Sequence, residues 1–311
     1  MLLYVNSVNI NSDNITFFKE KNMSNFTIIT DSSCDLSDSL AKELELKVVP
    51  LSVFSGSQQY YNYLDGSDIG FEEFYTRLAG GEMMTTSAIN IDQMYAVMSE
   101  ELKEGRDVLY IGFSSGLSGT YNAGVQAARL LSEEYPERKI FTVDSLCASL
   151  GQGLLVYLCA MHKKEGKTVE EIYEYAEGTK MNVCPWFTVD DLFHLKRGGR
   201  VSGVTAAVGS MLNIKPVMHV DNAGKLINVS KARGRNASIT ALFDKMCESG
   251  IDLASQKIFI SHGNCLADAE KLAKMINDKF GCEVIINFVG PVIGAHSGQG
   301  TLALFFLGKE R

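Results

Sequence analysis

The sequence predicts an α/β protein of two domains, a parallel sheet covered by helices followed by a mixed, partly antiparallel α/β unit. Three observations carry this expectation. Between Phe26 and Val143, apolar runs of strand character alternate with segments whose apolar residues recur at helical spacing, the pattern of a parallel sheet with helical crossovers. Farther on, the runs 214–220 and 226–229 are separated only by Asp221-Asn222-Ala223-Gly224, which marks an antiparallel hairpin. A chain of 311 residues, 46% of them hydrophobic, is also long enough to bury one large or two medium cores. The expected divisions are a polar, Asn-rich, flexible extension over 1–24, the parallel domain over 25–180 and the mixed domain over 181–311.

Each element has a local reason. Phe26 to Thr30 is β-branched and aromatic and closes into Asp31-Ser32-Ser33-Cys34-Asp35; Leu36, Leu40 and Leu44 then follow at helical spacing. Lys47 to Phe54 is expected to be one strand, Gly56 to Asp68 a polar excursion and Ile69 to Leu78 a helix. Asn90 is a natural cap for a helix from Ile91 to Lys103, whose Met94, Met98 and Leu102 form a core-facing stripe. Strand 108–113, a serine-rich turn, helix 119–134 and strand 140–143 complete the first series. Two helical pieces over 145–176 are divided near Gly166, with Thr168 as second cap. Strand 186–189, the hairpin, helix 236–249, strand 257–261, helix 266–279, strand 284–288 and a final apolar run 302–307 make the second half.

Composition excludes several classes of function. A formal net charge of −8 without a long Lys/Arg run argues against nucleic acid as a partner. Seven cysteines stand singly with no C-x-x-C pair, so neither a zinc ribbon nor a disulfide framework is expected, and reduced thiols of a cytoplasmic protein are. The first residues lack the basic start and apolar run of a signal peptide, and no stretch approaches the roughly 18 apolar residues of a membrane span. The sequence contains no P-loop, no protein-kinase loop set and no clear metal-ligand cluster. No metal or cofactor, and no catalysis by the chain itself, is expected.

The segment Gly112-Phe113-Ser114-Ser115-Gly116 admits two chemistries. As G-x-S-x-G it matches a hydrolase nucleophile elbow, with Asp190 or Asp191 and His296 following in an acceptable order. An elbow needs its helix to begin almost at once, yet Leu117-Ser118-Gly119 intervene and Ser118 is the better cap. His262-Gly263, which resembles a lipase oxyanion motif, comes after the serine instead of before it. The other chemistry is anion binding by uncharged donors at the carboxyl end of a strand. Two further hydroxyl clusters, Asp31-Ser32-Ser33 and Thr85-Thr86-Ser87, would converge with it on the same sheet edge. Serine and threonine also cap helices and close turns without any ligand.

A set of motifs then resembles one family. TDSSCDL (30–36), TTSAI (85–89), SSGLSGTYNAG (114–124), VDSLCAS (143–149), LKRGGRVS (195–202), KARGR (231–235) and GPVIGAHSGQG (290–300) are similar, in order and spacing, to the DegV family of bacterial fatty-acid-binding proteins. That family includes the FakB subunits of fatty acid kinase. The resemblance implies a two-domain protein with a lipid tunnel between or within its domains, holding one long-chain fatty acid. It implies that the carboxylate is held by Thr86 and by a serine of the 114–118 loop, either Ser115 or Ser118, with His296 close by. Ser32, Ser87 and Arg233 are implied as supporting polar positions, and Arg200 as a contact for a fatty acid kinase subunit. A carrier or sensor without a kinase partner is the remaining alternative. One departure is Thr86-Ser87-Ala88-Ile89-Asn90, where many relatives carry TSQPS; another is the leader before Met23.

Overall fold

The computed structural model describes residues 25–201 and 213–311. The expected flexible extension, 1–24, lies outside the described residues. In chain order the first elements are β1 (Phe26–Asp31), α1 (Asp38–Glu43), β2 (Lys47–Val49), β3 (Ser52–Ser55), β4 (Gln58–Tyr61), α2 (Phe71–Ala79) and β5 (Met84–Ser87). Next come α3 (Ile91–Lys103), β6 (Asp107–Gly112), α4 (Thr120–Glu134), β7 (Ile140–Asp144), α5 (Leu150–Lys164) and α6 (Val169–Thr179). The remainder comprises β8 (Val183–Thr188), α7 (Leu192–Arg197), β9 (Ile214–Val220), β10 (Leu226–Arg233) and α8 (Arg235–Ser249). It ends with β11 (Lys257–His262), α9 (Leu266–Phe280), β12 (Glu283–Phe288), α10 (Pro291–Ser297) and β13 (Leu302–Leu307).

Strands β2, β1, β6 and β7 form an all-parallel sheet in that order. The second sheet, β10-β9-β8-β13-β11-β12, is antiparallel except for its parallel β11–β12 edge pair. Both match the expected fold class. Helix α5 explains how the sheets share a core. Leu150, Leu154, Leu155 and Val156 are buried together with Ile28 and Leu109 of the first sheet and with Phe259 and Phe305 of the second. A helix that is apolar on every side must be covered on every side. Helices α3 and α6 begin at Asn90 and Thr168, and each has a complete capping box.

The expected strand 47–54 is divided. Pro50 cannot donate to a ladder; β2 stays in the parallel sheet, and after Pro50 the chain enters a separate antiparallel sheet, β4-β3-β5. The polar excursion therefore contains a strand, β4, and Thr85-Thr86-Ser87 belongs to strand β5 instead of a loop. Helices α7 and α10 were not expected; α10 is built from Gly-rich sequence and starts with Pro291 at its first turn, where a proline's missing N–H costs nothing. No described helix is long and apolar enough to cross a membrane.

Candidate ligand-binding site

A cavity of about 410 Å³ lies where the carboxyl edge of the parallel sheet meets one face of the second sheet. Its first wall is made by the segments following the strands: Phe113, Ser115 and Leu117 to Gly119 after β6, and Ala148 and Ser149 after β7. The opposite wall takes alternate residues of neighbouring strands, Pro185 and Phe187 on β8 and Ala303 and Phe305 on β13, as expected for one face of a sheet. Val292 and Ile293 of α10, Leu51, Val220 and Leu226 close it with further apolar surface. Ser87, Ala88, Ser115 and Gly119 are exposed, so the polar end is the open one.

Of the residues nominated from sequence, Thr86, Ser87, Ser115, Ser118, Arg200 and His296 line this one cavity. Thr86 Oγ1 lies 2.7 Å from His296 Nε2. Burial, reinforced by the nearby Arg200 guanidinium and by His194, pushes the His296 imidazole down to about 4, so the ring is neutral at physiological pH. If Nε2 carries the proton it donates to Thr86, whose own hydroxyl proton is then free to point at an anion. Arg200 donates from Nη1 to the Gly198 carbonyl at 2.5 Å and from Nε to the Leu117 carbonyl at 3.4 Å, which ties it to the serine loop. Ser118 Oγ accepts the Thr120 N–H at the start of α4, while the Ser115 N–H donates to the Asp144 carboxylate. Ser32 and Arg233 are not among the lining residues. Ser32 is fully buried and its Oγ accepts the N–H of Leu51, which does line the cavity; Arg233 is exposed at the end of β10.

Ser114 stands apart from this constellation. It is fully buried, and its hydroxyl donates to the Gly224 carbonyl at 2.8 Å, whereas the His296 Nε2 faces Thr86. The turn is shaped by contact with the β9–β10 hairpin. A Cβ on Gly116 would stand 2.6 Å from the Ala223 carbonyl oxygen, and one on Gly224, at φ +71°, would overlap Ser114 Oγ. Gly116 of this G-x-S-x-G segment thus serves close approach of two backbones, and the geometry corrects the nucleophile reading of Ser114 with His296.

Sequence reasoning missed a polar strip that joins the two walls. Ser149 and Ser261 both line the cavity, with their hydroxyl oxygens 2.9 Å apart. Ser149 also donates to Asp35 Oδ2 at 2.5 Å and holds a sparsely populated backbone conformation at φ +53°. Asp35 is 2% exposed, and burial pushes its carboxyl up to about 8. Ser149 closes VDSLCAS and Asp35 sits in TDSSCDL, but neither motif shows that the two touch. Among the described residues there is no cluster of three or more His, Cys, Asp or Glu that could hold a metal.

Comparison with known proteins agrees with this architecture. A DegV domain-containing protein of Clostridium perfringens is 44% identical over 290 residues, which are 93% of this chain and 99% of that one. The solved structure described as DegV, a fatty acid binding protein from Bacillus subtilis, is 29% identical, with a TM-score of 0.79 over 92% of this chain and 100% of its own. The Streptococcus pneumoniae fatty acid kinase B3 protein, loaded with linoleic acid, shares the fold at 22% identity, with a TM-score of 0.79 over 91% and 99% of the two chains. The family model for DegV, described as an uncharacterised protein of that family, matches residues 25–309, and the chain belongs to the DegV family.

Proposed function

We propose that the chain binds one long-chain fatty acid in the cavity and presents its carboxylate to a separate kinase subunit for conversion to an acyl phosphate, with no catalysis of its own. The observation that carries this is the division of one 410 Å³ cavity into an apolar body and an open end holding Thr86, His296, Ser115, Ser118 and Arg200. Burying an alkyl chain is favourable by about 0.8 kcal/mol per methylene, so an acid of about sixteen carbons draws its affinity from the body. A desolvated carboxylate without donors would cancel several kcal/mol of that, which the hydroxyls of Thr86, Ser115 and Ser118 prevent. The description of the Bacillus subtilis relative as a fatty acid binding protein supports the same class of ligand. Mass spectrometry of lipid extracted from the purified protein tests it directly: protein that stays empty when a long-chain acid is offered overturns the proposal.

Two substitutions separate the head-group site from the partner surface. Thr86→Val keeps the side-chain shape and removes the hydroxyl; affinity for a sixteen-carbon acid is expected to fall by about 1–3 kcal/mol, or roughly 5- to 150-fold, in a fluorescent-acid displacement assay. Unchanged affinity would remove Thr86 from the site. Arg200→Ala is expected to leave lipid affinity within about threefold and to lower acyl-phosphate formation with the kinase subunit and ATP at least tenfold, since its role is assigned to the rim. Equal turnover would favour a carrier that works without a kinase.

A further inference from the structure

We propose that Ser149, Ser261, Ser297 and Thr301 form a second polar subsite inside the cavity, one that takes the hydroxyl group of a long-chain hydroxy fatty acid. The inference rests on the fatty-acid reading of the cavity and adds the class of acid that fits it. All four residues are buried, and all four line the same cavity as Thr86 and His296. Ser261 lies directly opposite Ala303 in the β11–β13 pairing, so the two share one face of the sheet. The Thr301 hydroxyl reaches the Gly298 carbonyl at 2.8 Å, beside Ser297 at the end of α10. The group therefore stands between the head-group end, where His296 meets Thr86, and the apolar body, where Ala303 lies.

The hydroxyl protons identify the ligand. Ser149 has a single proton and gives it to Asp35 Oδ2; Ser261, with its oxygen 2.9 Å from that of Ser149, then donates to Ser149 and keeps its own lone pairs. The proton of Thr301 is spent on Gly298, so its oxygen too is left as an acceptor. Ser297 differs from both. It is 5% exposed, and its Oγ has no hydrogen-bond partner among the described residues. A buried hydroxyl in that state carries the full cost of lost hydration, and such an orphan in a native structure calls for a partner.

One unspent donor beside two acceptors matches an alcohol, which both gives and accepts a proton. A ketone oxygen would engage Ser297 alone, a methylene none of the three, and a second carboxylate would face the two acceptors. Ser149 adds an independent sign of a built site: it is held at φ +53°, a sparsely populated conformation that its surroundings must over-determine.

A displacement assay on the full chain, with hexadecanoic acid and its monohydroxy isomers in which the hydroxyl is moved along the chain, tests the proposal. At most positions the hydroxyl is buried against apolar wall, and affinity is expected to fall about 5- to 150-fold below that of hexadecanoic acid. At about two or three adjacent carbons it reaches the subsite, and affinity is expected to stay within about threefold of hexadecanoic acid or to exceed it. Ser297→Ala and Ser261→Ala are each expected to lower the ratio of hydroxy-acid to hexadecanoic-acid affinity about tenfold at those carbons and to leave it as it was elsewhere. Hexadecanoic acid that binds while every hydroxyl position gives the same ratio overturns the subsite and spares the fatty-acid reading. A favoured position that survives both substitutions overturns it as well. Hexadecanoic acid that does not bind at all overturns the fatty-acid reading and the subsite with it. Should one variant fail to fold, the other carries the comparison; should both fail, the position scan on the parent protein decides.

Discussion

Replacing Ala303 with phenylalanine is expected to weaken binding of a sixteen-carbon fatty acid by more than 100-fold while leaving an eight-carbon acid within about threefold. Ala303 lies on β13, opposite Phe187 on β8 and Ser261 on β11, and its side chain lines the apolar body of the cavity. A phenyl ring added there enters existing space instead of displacing packed core, so overpacking costs are reduced. It takes the volume of about four methylenes from the ligand; at about 0.8 kcal/mol each this removes about 3 kcal/mol, a factor above 100. The short acid needs only the end near Thr86 and His296, which β13 does not supply. Titration calorimetry with both acids distinguishes the outcomes: equal weakening of both would mean that the variant has damaged the head-group end or the fold, and no change would mean that the acyl chain does not run past Ala303.

Much of the architecture was legible because the dominant signals are local. Alternating strand and helix periodicity between Phe26 and Val143 gives the parallel sheet, and the four-residue link at 221–224 gives the β9–β10 hairpin. The strands that went unrecognised, β4 and β5, are short, largely polar and stabilised by pairing with β3, a tertiary contact that no single-segment pattern carries. Helix α10 was hidden by Gly294 within it and by the glycines that flank it, which lower helix propensity; Gly294 also lets a neighbour approach, since a Cβ there would stand 2.6 Å from the Tyr75 hydroxyl.

The candidate site divides in the same way. Hydroxyl clusters and the motif containing His296 can be read from residue type and order, and six of the nominated side chains do line one cavity. Ser114 misleads because G-x-S-x-G records only the two glycines and the serine; the contact with Gly224 that occupies its hydroxyl is 110 residues away. Asp35, Ser149 and Ser261 went unseen for a related reason. They come from three separated segments, and their meaning lies in a shared burial that the sequence does not print.

That burial should make stability depend on pH with a maximum near 6.5. Between the unfolded value of 3.8 and the folded value of about 8, Asp35 in the folded protein holds a proton that the unfolded chain has released. Stability therefore falls as pH rises through this window, by up to about 1.4 kcal/mol per unit. Asp31, also raised by burial, acts with the same sign. His219, His262 and His296 oppose it: burial pushes each down to about 4, so between 4 and 6.5 the unfolded chain binds protons that the folded protein refuses, and stability rises with pH. With His194, which burial also lowers, four rising contributions outweigh the two falling ones below 6.5, and above it the buried carboxyl groups continue to act. From pH 6.5 to 8 the free energy of unfolding, measured by urea titration, is expected to drop by up to about 2 kcal/mol from Asp35, with Asp31 acting in the same direction. Asp35→Asn removes one of these protons while keeping the side-chain shape, and should flatten the alkaline arm and steepen the acid arm, where Asp35 opposes the histidines. An alkaline slope that is the same in Asp35→Asn and in the parent would show that Asp35 is already ionised in the folded protein.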